Sequence, residues 1–263
     1  MLNIGKGLIN DFNKSFYIDR IQLSDKQISN DSTVKCAYSV GETQVVEGVL
    51  IPTNKRSTAC ISSQVGCGLA CKFCATGKLK MLRNLSPGEI VDQVVSLNEI
   101  SLKNLNRPIS NIVYMGMGEP LLNYKNVLRS TEILCSEKGL GMSPKRITVS
   151  TAGIAKMITK LGDDEVKFNL ALSLHAANDK KRSEIMDINS SNNLNDLKES
   201  LKHFYNKTGT RVTFEYIIFD QFNDNPEDAY ELASFAKCVP CKINIIEYNP
   251  IDGEDFKQAE IEK

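Results

Sequence analysis

Short runs of β-branched and apolar residues alternate with longer amphipathic stretches from Arg56 to Asn249. The short runs predict strands, and the longer stretches predict helices because their apolar residues recur at helical spacing. The predicted strands are Ser57–Ser63, Asn111–Met115, Arg146–Thr151, Phe168–Leu174, Arg211–Phe219 and Lys242–Tyr248. The predicted helices are Ser86–Ile100, Tyr124–Glu137, Lys181–Met186, Leu194–Asn206 and Pro226–Lys237.

Six strand–helix units in succession predict parallel strands joined by helical crossovers. Because six units are fewer than the eight of a closed barrel, we expect an α/β fold built as a partial (βα)6 TIM-like barrel. We assign residues 56–263 to this barrel. In such barrels the chemistry lies at the carboxyl ends of the strands, so residues that follow the predicted strands are candidates for a site.

Residues 1–55 have a different pattern. Tyr17–Ile21, Thr33–Tyr38 and Gln44–Ile51 predict short strands separated by turn-forming Ser, Asn, Asp and Gly. This segment predicts a small N-terminal β extension packed on the barrel. At the start of the first predicted barrel helix, Ser86, Pro87 and Glu89 form the signature of a capping box.

Charge and composition exclude several classes of protein. Lys plus Arg and Asp plus Glu number 32 each, so there is no global basic field, and any RNA contact requires a local patch. Hydrophobic residues at 41% and charged residues at 24% are ordinary for a globular protein. Eight cysteines without an apolar signal segment in residues 1–20 predict a reducing cytoplasm, and no apolar run predicts a membrane span.

Cys67, Cys71 and Cys74 lie on one short stretch, with three and then two residues between them. Three thiolates can hold three irons of a 4Fe-4S cubane and leave the fourth iron open to a small molecule, which predicts catalysis. One alternative is structural zinc, which needs four ligands. Candidates for that fourth ligand are Cys60, Cys238 and Cys241. The other alternative is a group of inert buried thiols.

Polar residues follow several predicted strands. Glu119 lies in the stretch Gly-Met-Gly-Glu-Pro at 116–120, where glycines let a backbone approach a ligand and the carboxylate can accept a hydrogen bond from an amino group. Ser150 and Ser173 lie at the ends of the next two strands, with His175 close behind, and Asn249 follows the last strand. Plain turns, helix caps and a structural histidine are the alternative interpretations.

Five segments together resemble the RlmN/Cfr family of radical S-adenosylmethionine RNA methyltransferases, and RlmN most of all. The segments are Ser62–Cys67 with the cysteines after it, Tyr114–Pro120, Thr148–Gly153, Ser173–Ala176 and Lys242–Pro250. The resemblance covers roughly Tyr17–Gly253. It implies a radical S-adenosylmethionine partial barrel, the fold that the pattern predicts.

The resemblance also implies the cofactors and their ligands. Cys67, Cys71 and Cys74 are expected to hold a 4Fe-4S cluster, and two molecules of S-adenosylmethionine are expected per turnover. The residues expected to bind S-adenosylmethionine are Gly118, Glu119, Ser150, Ser173, Leu174, His175 and Asn249. The implied partners are 23S ribosomal RNA, tRNA as a second candidate, and a reductant such as flavodoxin.

The implied reaction methylates carbon 2 of an adenosine. In the family, a C-terminal cysteine carries the methyl group to the base, and a second cysteine then releases the product while a base removes the ring proton. Cys60 matches the resolving cysteine and Glu47 matches the proton acceptor. Cfr-like methylation of carbon 8 is the alternative within the family.

The family continues past the position of Lys263 to the cysteine that carries the methyl group, and no cysteine follows Cys241 here. We therefore expect a truncated sequence, in which cofactor cleavage survives and methylation is lost. A catalytically incomplete iron–sulfur fragment is the alternative. The basic residues expected to contact RNA are Lys78, Lys80 and Arg83 after the cysteines, and Lys55, Arg56, Lys145 and Arg146 near other strand ends.

Overall fold

A nine-stranded sheet organises the part of the chain that the structure describes, residues 5–15, 20–253 and 255–260 of a computed structural model. The strands of this sheet are β1 (Gln22–Ile28), β2 (Val34–Val40), β3 (Gln44–Pro52), β4 (Ser57–Cys60), β7 (Asn111–Tyr114), β8 (Ile147–Thr151), β9 (Asn169–Ser173), β10 (Val212–Ile218) and β11 (Cys241–Glu247). A separate two-stranded ribbon is formed by β5 (Gln64–Val65) and β6 (Arg83–Asn84).

Within the nine-stranded sheet, the strands from β4 onward are parallel and are joined by helices. The helices of the described part are α1 (Lys6–Ser15), α2 (Pro87–Leu105), α3 (Tyr124–Cys135), α4 (Ala155–Asp163), α5 (Asp179–Ile185), α6 (Leu194–Thr208) and α7 (Pro226–Ala236). In the parallel part each strand pairs with the preceding strand of the same sheet, and the order never reverses. Among the described strands β11 does not pair with β1, so the sheet stays open. The predicted partial barrel is confirmed.

The antiparallel strands β1, β2 and β3 continue the same sheet, because β3 pairs with β4. The predicted strands Thr33–Tyr38 and Gln44–Ile51 are present within a residue or two. The predicted strand Tyr17–Ile21 lies mostly outside the described residues. Pattern reasoning missed β1 because its polar residues are all exposed, so only backbone pairing with β2 defines it.

One face of the parallel sheet is buried under the helices and the other is polar. Along β8, Ile147 and Val149 are fully buried whereas Thr148 and Ser150 between them are partly exposed. Alternation with period two places the apolar set against helix residues such as Leu161, and each such buried side chain contributes roughly 1.5–3 kcal/mol. The concave face is therefore left free to carry polar groups.

The capping box at the start of α2 is confirmed. The Glu89 N–H donates to Ser86 Oγ at 3.3 Å, and the Ser86 N–H donates to Glu89 Oε2 at 2.8 Å. Such a cap stabilises a helix by about 1 kcal/mol. None of the described helices is long and apolar enough to cross a bilayer.

Candidate functional site

The cysteine loop leaves the sheet after β4 and is closed at its base by the β5–β6 ribbon. Gly66 enters the loop at φ +76°, and a Cβ there would come within 2.2 Å of the Lys80 carbonyl oxygen, so glycine is required. Within the loop the Cys74 N–H donates to the Cys71 carbonyl at 3.1 Å. Backbone hydrogen bonds thus fix the conformation of the loop that carries the three cysteines.

The thiols of Cys67, Cys71 and Cys74 are free and partly buried. Burial first, and then the neighbouring charges of Cys74, Cys67 and Glu119, together raise the pKa of Cys71 to about 12. Burial is also the main reason that the pKa of Cys67 is raised. Three thiols that repel one another as thiolates need a bound cation to ionise together, because a metal lowers the pKa of a thiol.

Among the described residues, no three His, Cys, Asp or Glu side chains converge closely enough to hold a single metal ion. Each thiolate of a cubane binds a different iron, so cluster ligands do not converge on one point as the ligands of structural zinc do. Cys238 and Cys241 lie at the amino end of β11, the far end of the strand from the loop side. They are not placed to complete a zinc site.

An apolar cluster beneath the loop holds it against the carboxyl ends of the strands. Phe73 and Cys71 pack on a group that includes Met186, Phe219 and Tyr248. The Phe73 ring lies 5.9 Å from that of Phe219, centroid to centroid. These contacts orient the loop over the strand ends that the sequence motifs identified.

Glu119 links two strand ends beside the loop. Its carboxylate is buried and accepts hydrogen bonds from the Leu121 N–H at 3.0 Å and the Ala152 N–H at 2.8 Å. Burial raises the pKa of Glu119, while these hydrogen bonds lower it. Its charge acts on Cys67 and Cys71, so it lies next to the cysteine loop. A carboxylate has about four acceptor positions, so the group can still accept a bond from a ligand.

The two glycines before Glu119 serve close packing between neighbouring strand ends. At Gly118, with φ +94°, a Cβ would lie 2.4 Å from Gln64 Cβ, and at Gly116 a Cβ would lie 2.8 Å from the Ile61 carbonyl. The lack of a Cβ at these glycines lets the residues after β4 approach closely. This packing positions Glu119, because Gln64 Oε1 accepts its N–H at 2.8 Å. Ligand contact by Gly118 stays a prediction.

Of the strand-end residues, Ser150 and Ser173 are partly exposed on the concave face. Leu174 is fully buried, and its N–H donates to the Glu215 carbonyl at 3.0 Å, so it fixes the end of β9. Asn249 is exposed just beyond β11. The fold thus brings these predicted residues to the same edge as the loop.

His175 is buried and has φ +53°, an uncommon backbone conformation outside glycine. Its Nδ1 accepts the Ile217 N–H at 3.1 Å, and its carbonyl accepts from Asn223 Nδ2 at 2.7 Å. Burial and the charge of Arg182 lower the pKa of His175 to about 3. The imidazole is therefore neutral at physiological pH and carries its hydrogen on Nε2.

Arg182 is a site residue that sequence reasoning missed. It is fully buried on α5, and its guanidinium donates to the carbonyls of Ala152 at 2.5 Å, Ser173 at 3.2 Å and Leu174 at 3.2 Å, and to Asn189 Oδ1 at 2.8 Å. It clamps the ends of β8 and β9 together. An arginine three residues before Ile185, on the buried side of a short helix, was the one available signal.

Cys60 and Glu47 lie on the same face of the sheet. Cys60 pairs with Val49 across the antiparallel β3–β4 ladder, and Glu47 is two residues from Val49. Burial raises the pKa of Cys60 to about 11. Glu47 forms a half-exposed ion pair with Lys35 at 2.7 Å.

The basic residues proposed for RNA contact separate into two groups. Lys78 donates to the Asp252 carbonyl, and Arg83 forms an ion pair with Glu89 at 2.7 Å beside the cysteine loop. Arg56 and Arg146 precede β4 and β8, so they lie at the amino ends of the strands. The second group therefore lies at the end of the strands opposite the cysteine loop, and RNA contact by either group stays a prediction.

Comparison with known proteins identifies the superfamily to which the chain belongs. The model of the Radical SAM superfamily matches residues 61–233, which include the cysteine loop and most of the parallel strands. A radical SAM methyltransferase from Sphaerobacter thermophilus has a similar structure, with a TM-score of 0.93 and 36% sequence identity over 99% of this chain and 76% of that one.

Proteins of similar sequence identify the family within this superfamily. A Cytophaga hutchinsonii protein named "Probable dual-specificity RNA methyltransferase RlmN" is 58% identical over 100% of this chain and 72% of its own length. A protein of the same name from Christiangramia forsetii is 53% identical over 100% of this chain and 74% of its own length. The chain therefore belongs to the radical SAM superfamily and, within it, to the RlmN family. This is a family of enzymes, and its class implies S-adenosylmethionine and a 4Fe-4S cluster as cofactors.

Proposed function

We propose that this protein methylates carbon 2 of an adenosine in RNA by radical S-adenosylmethionine chemistry. The proposed substrate is 23S ribosomal RNA, with tRNA as a second candidate. The observation that carries the proposal is the common sheet face of Cys60 and Glu47, on strands that lead into the three-cysteine loop. This arrangement is what separates the proposal from other radical chemistry on the same fold.

The cofactor ligands follow from the site geometry. Cys67, Cys71 and Cys74 would hold the cluster, which when bound supplies the electron that cleaves S-adenosylmethionine to a deoxyadenosyl radical. Glu119, beside the loop, would accept a hydrogen bond from the amino group of the methionine moiety. Gly118, Ser150, Ser173, Leu174, His175 and Asn249 complete the proposed binding set at the strand ends.

Cys60 and Glu47 would act on the RNA adduct. Because burial raises the pKa of Cys60 to about 11, its thiol stays protonated at neutral pH and unreactive until a base is supplied. Once ionised, its thiolate would attack the carrier sulfur of the thioether that links the base to the methyl-carrying cysteine. A disulfide would form as the carbon–sulfur bond breaks, and the released carbon would keep the electron pair and take up a proton to become the methyl group. Glu47 would remove the ring proton, and its ion pair with Lys35 keeps the carboxylate near that face.

Two further parts of the proposal concern the whole turnover. One S-adenosylmethionine would methylate the carrier cysteine and a second would be cleaved, with flavodoxin or a similar protein as the reductant. No cysteine follows Cys241 in the 263 residues. We therefore expect this polypeptide by itself to form 5′-deoxyadenosine without methylating RNA.

An anaerobic assay with reconstituted cluster, reductant, S-adenosylmethionine and an unmodified rRNA fragment tests the proposal. Mass spectrometry of the products should show 5′-deoxyadenosine from the 263-residue chain and from its Cys60→Ala variant, and none from Cys71→Ala. If the 263-residue chain alone forms methylated adenosine, one of its own residues carries the methyl group, and the proposal of a further carrier cysteine is wrong. If the chain with a fully loaded cluster forms no 5′-deoxyadenosine, the proposal that it cleaves S-adenosylmethionine by radical chemistry is wrong.

A chimera tests the regiochemistry. In it, these 263 residues replace the matching region of the Cytophaga hutchinsonii relative, of which they cover 72%. We expect 2-methyladenosine from the chimera and none when Cys60 is replaced by Ala. If the product is 8-methyladenosine, the Cfr-like alternative is correct and the carbon 2 proposal is wrong.

A further inference from the structure

A cavity of about 730 Å³ opens at the amino ends of the parallel strands, the end opposite the cysteine loop. Residues immediately before or at the start of successive strands form its wall. They are Arg56, Asn111, Lys145, Arg146, Thr148, Lys167, Asn169, Thr208, Gly209, Thr210, Arg211, Thr213 and Lys242. A strand of five residues such as β8 spans roughly 15 Å, so this cavity is separate from the proposed active site.

Every charged residue of the cavity wall is basic. The chain as a whole has equal numbers of acidic and basic residues, so an all-basic wall is a strong local departure from the average. The six basic residues are Arg56, Lys145, Arg146, Lys167, Arg211 and Lys242. Grouped cations repel one another, and a bound anion removes that repulsion.

These cations are also available to a ligand. Among the described residues, no carboxylate lies within 4.0 Å of the charged groups of Arg56, Lys145, Arg211 or Lys242. Lys167 has a single exposed contact of 4.0 Å with Glu165, which contributes little because solvent screens it. The described part of the chain therefore leaves this group of charges largely without carboxylate partners.

The sheet register explains how the cavity forms. Thr213 pairs with Lys242, and Thr148 pairs with Asn169, so these side chains share the concave face. The parallel strands thus add hydroxyl and amide groups to the floor beneath the cations. Aromatic side chains are absent from the described wall, so the cavity has no surface on which a base could stack.

We propose that this cavity binds clustered phosphate groups. Arginine and lysine at a concave site recognise phosphate through charge-assisted hydrogen bonds, and the lack of a stacking surface favours recognition of phosphates alone. The phosphates come from a small polyphosphate or from a bend in an RNA backbone. The site is separate from the residues proposed to carry out the chemistry, because none of its wall residues belongs to the cysteine loop or the cofactor set.

Calorimetric titration of the folded 263-residue chain with inorganic tripolyphosphate tests the site. We expect saturable binding that weakens steeply with added salt, and at least about tenfold weaker binding in the double variant Arg211→Gln, Lys242→Gln. The matched control is Lys125→Gln, Lys156→Gln, two exposed lysines at the starts of α3 and α4. Circular dichroism confirms that both variants are folded.

The control variant distinguishes a specific anion site in the cavity from general electrostatic attraction between the anion and a basic surface. Equal loss of affinity in both double variants, or no binding by the unaltered chain, would overturn the proposal. Retention of affinity in Arg211→Lys would support a charge contact at that position. Formation of 5′-deoxyadenosine should be unchanged in the Arg211, Lys242 variant, so failure of the anion site and failure of the proposed function are distinguishable.

Competition distinguishes the two sources of phosphate. If tripolyphosphate displaces a labelled rRNA fragment and the Arg211, Lys242 variant binds that RNA at least about tenfold more weakly, the phosphates belong to RNA. If RNA binding is unchanged while tripolyphosphate binding is lost, the ligand is a small polyphosphate. Both results support the site and identify the source of its ligand.

Discussion

The ring of Phe73 meets the imidazole of His175 edge to face, with 4.5 Å between the ring centroids and 71° between the planes. Phe73 stands between the last two loop cysteines, and His175 follows β9. The contact joins the loop, which local backbone bonds shape, to the strand ends, which the sheet fixes. Such edge-to-face pairs contribute roughly 0.5–1.5 kcal/mol beyond the area they bury.

Replacing Phe73 by Ala should therefore loosen the loop. We expect the free energy of unfolding to fall by about 1–3 kcal/mol, less than for a fully buried phenylalanine because the ring is partly exposed. We also expect less iron retained per chain after reconstitution, since the cysteine positions are less defined. Urea unfolding and iron analysis measure the two effects.

Two controls accompany the Phe73 experiment. Tyr230→Ala removes an aromatic ring that is 77% exposed and should change neither quantity. Phe73→Leu keeps the apolar contact with the cluster under the loop and should retain most of the iron. If Phe73→Ala holds iron as well as the unaltered chain, the ring contact does not position the loop.

Replacing His175 by Asn should alter how stability depends on pH. The pKa of His175 is about 3 in the folded chain and about 6.5 when unfolded. Between these values the unfolded state binds more protons, so the stability due to the neutral imidazole is complete above about pH 6.5 and is lost as the pH falls towards 3. Asparagine tolerates positive φ and can accept the Ile217 N–H without titrating.

Denaturation at about pH 7.5 and about pH 5.5 measures the effect. The unaltered chain should lose about 1.4 kcal/mol more stability over this interval than His175→Asn, because each pH unit below the unfolded pKa costs that amount per buried neutral histidine. All other titrating groups are common to both proteins and cancel in the difference. An equal loss of unfolding free energy in the two proteins over this pH interval would contradict the burial of a neutral imidazole.

Arg182→Met should destabilise the chain by roughly 3 kcal/mol or more. The change leaves the carbonyls of Ala152, Ser173 and Leu174 buried without their donor, and each such loss costs about 1–3 kcal/mol. Arg182→Lys should rescue only part of the loss, since one ammonium group cannot reach all the acceptors of a planar guanidinium. Urea unfolding of both variants measures these costs.

The control for this prediction is Arg129→Met. Arg129 forms an exposed ion pair with Glu132 at 2.8 Å on α3, and such pairs contribute about 1 kcal/mol or less. The two substitutions are chemically identical and differ in burial and partners. An Arg182→Met variant as stable as Arg129→Met would show that Arg182 does not clamp the strand ends.

Local signals explain what could be predicted from the sequence. The capping box at Ser86 and the strand predicted at Arg146–Thr151 are each set within a few residues, and the structure agrees with both. The concentration of motifs at the carboxyl edge follows from parallel strands alone. Pattern and turn chemistry are sufficient for such features.

Long-range packing explains what could not be predicted. The acceptors of Arg182 come from segments up to 30 positions away in the chain, so its sequence neighbourhood shows an ordinary exposed-helix cation. Arg56 and Lys242 look like scattered surface charges until the strand register gathers them at one opening. The partly buried hydrogen bond from Asn244 Nδ2 to Glu215 Oε2, 3.0 Å long on the concave face, has the same origin.

The last prediction concerns Gly118, which the sequence marked as a ligand contact and the structure explains by packing. Gly118→Ala should lower the free energy of unfolding by the strain of φ +94°, about 1–2 kcal/mol, and by the cost of relieving the 2.4 Å approach to Gln64 Cβ. Relief of that approach moves the backbone N–H of Glu119 away from Gln64 Oε1, so cofactor affinity should also fall.

Gly141→Ala separates the two contributions to the cost at Gly118. Gly141 also has positive φ, +58°, but a Cβ there meets no atom within 4 Å, so this variant bears the backbone strain alone. Urea unfolding should rank Gly118→Ala as the less stable variant, and titration with S-adenosylmethionine after cluster loading should show weaker binding for it alone. Equal stability and equal affinity would mean that the contact with Gln64 relaxes freely and does not position Glu119.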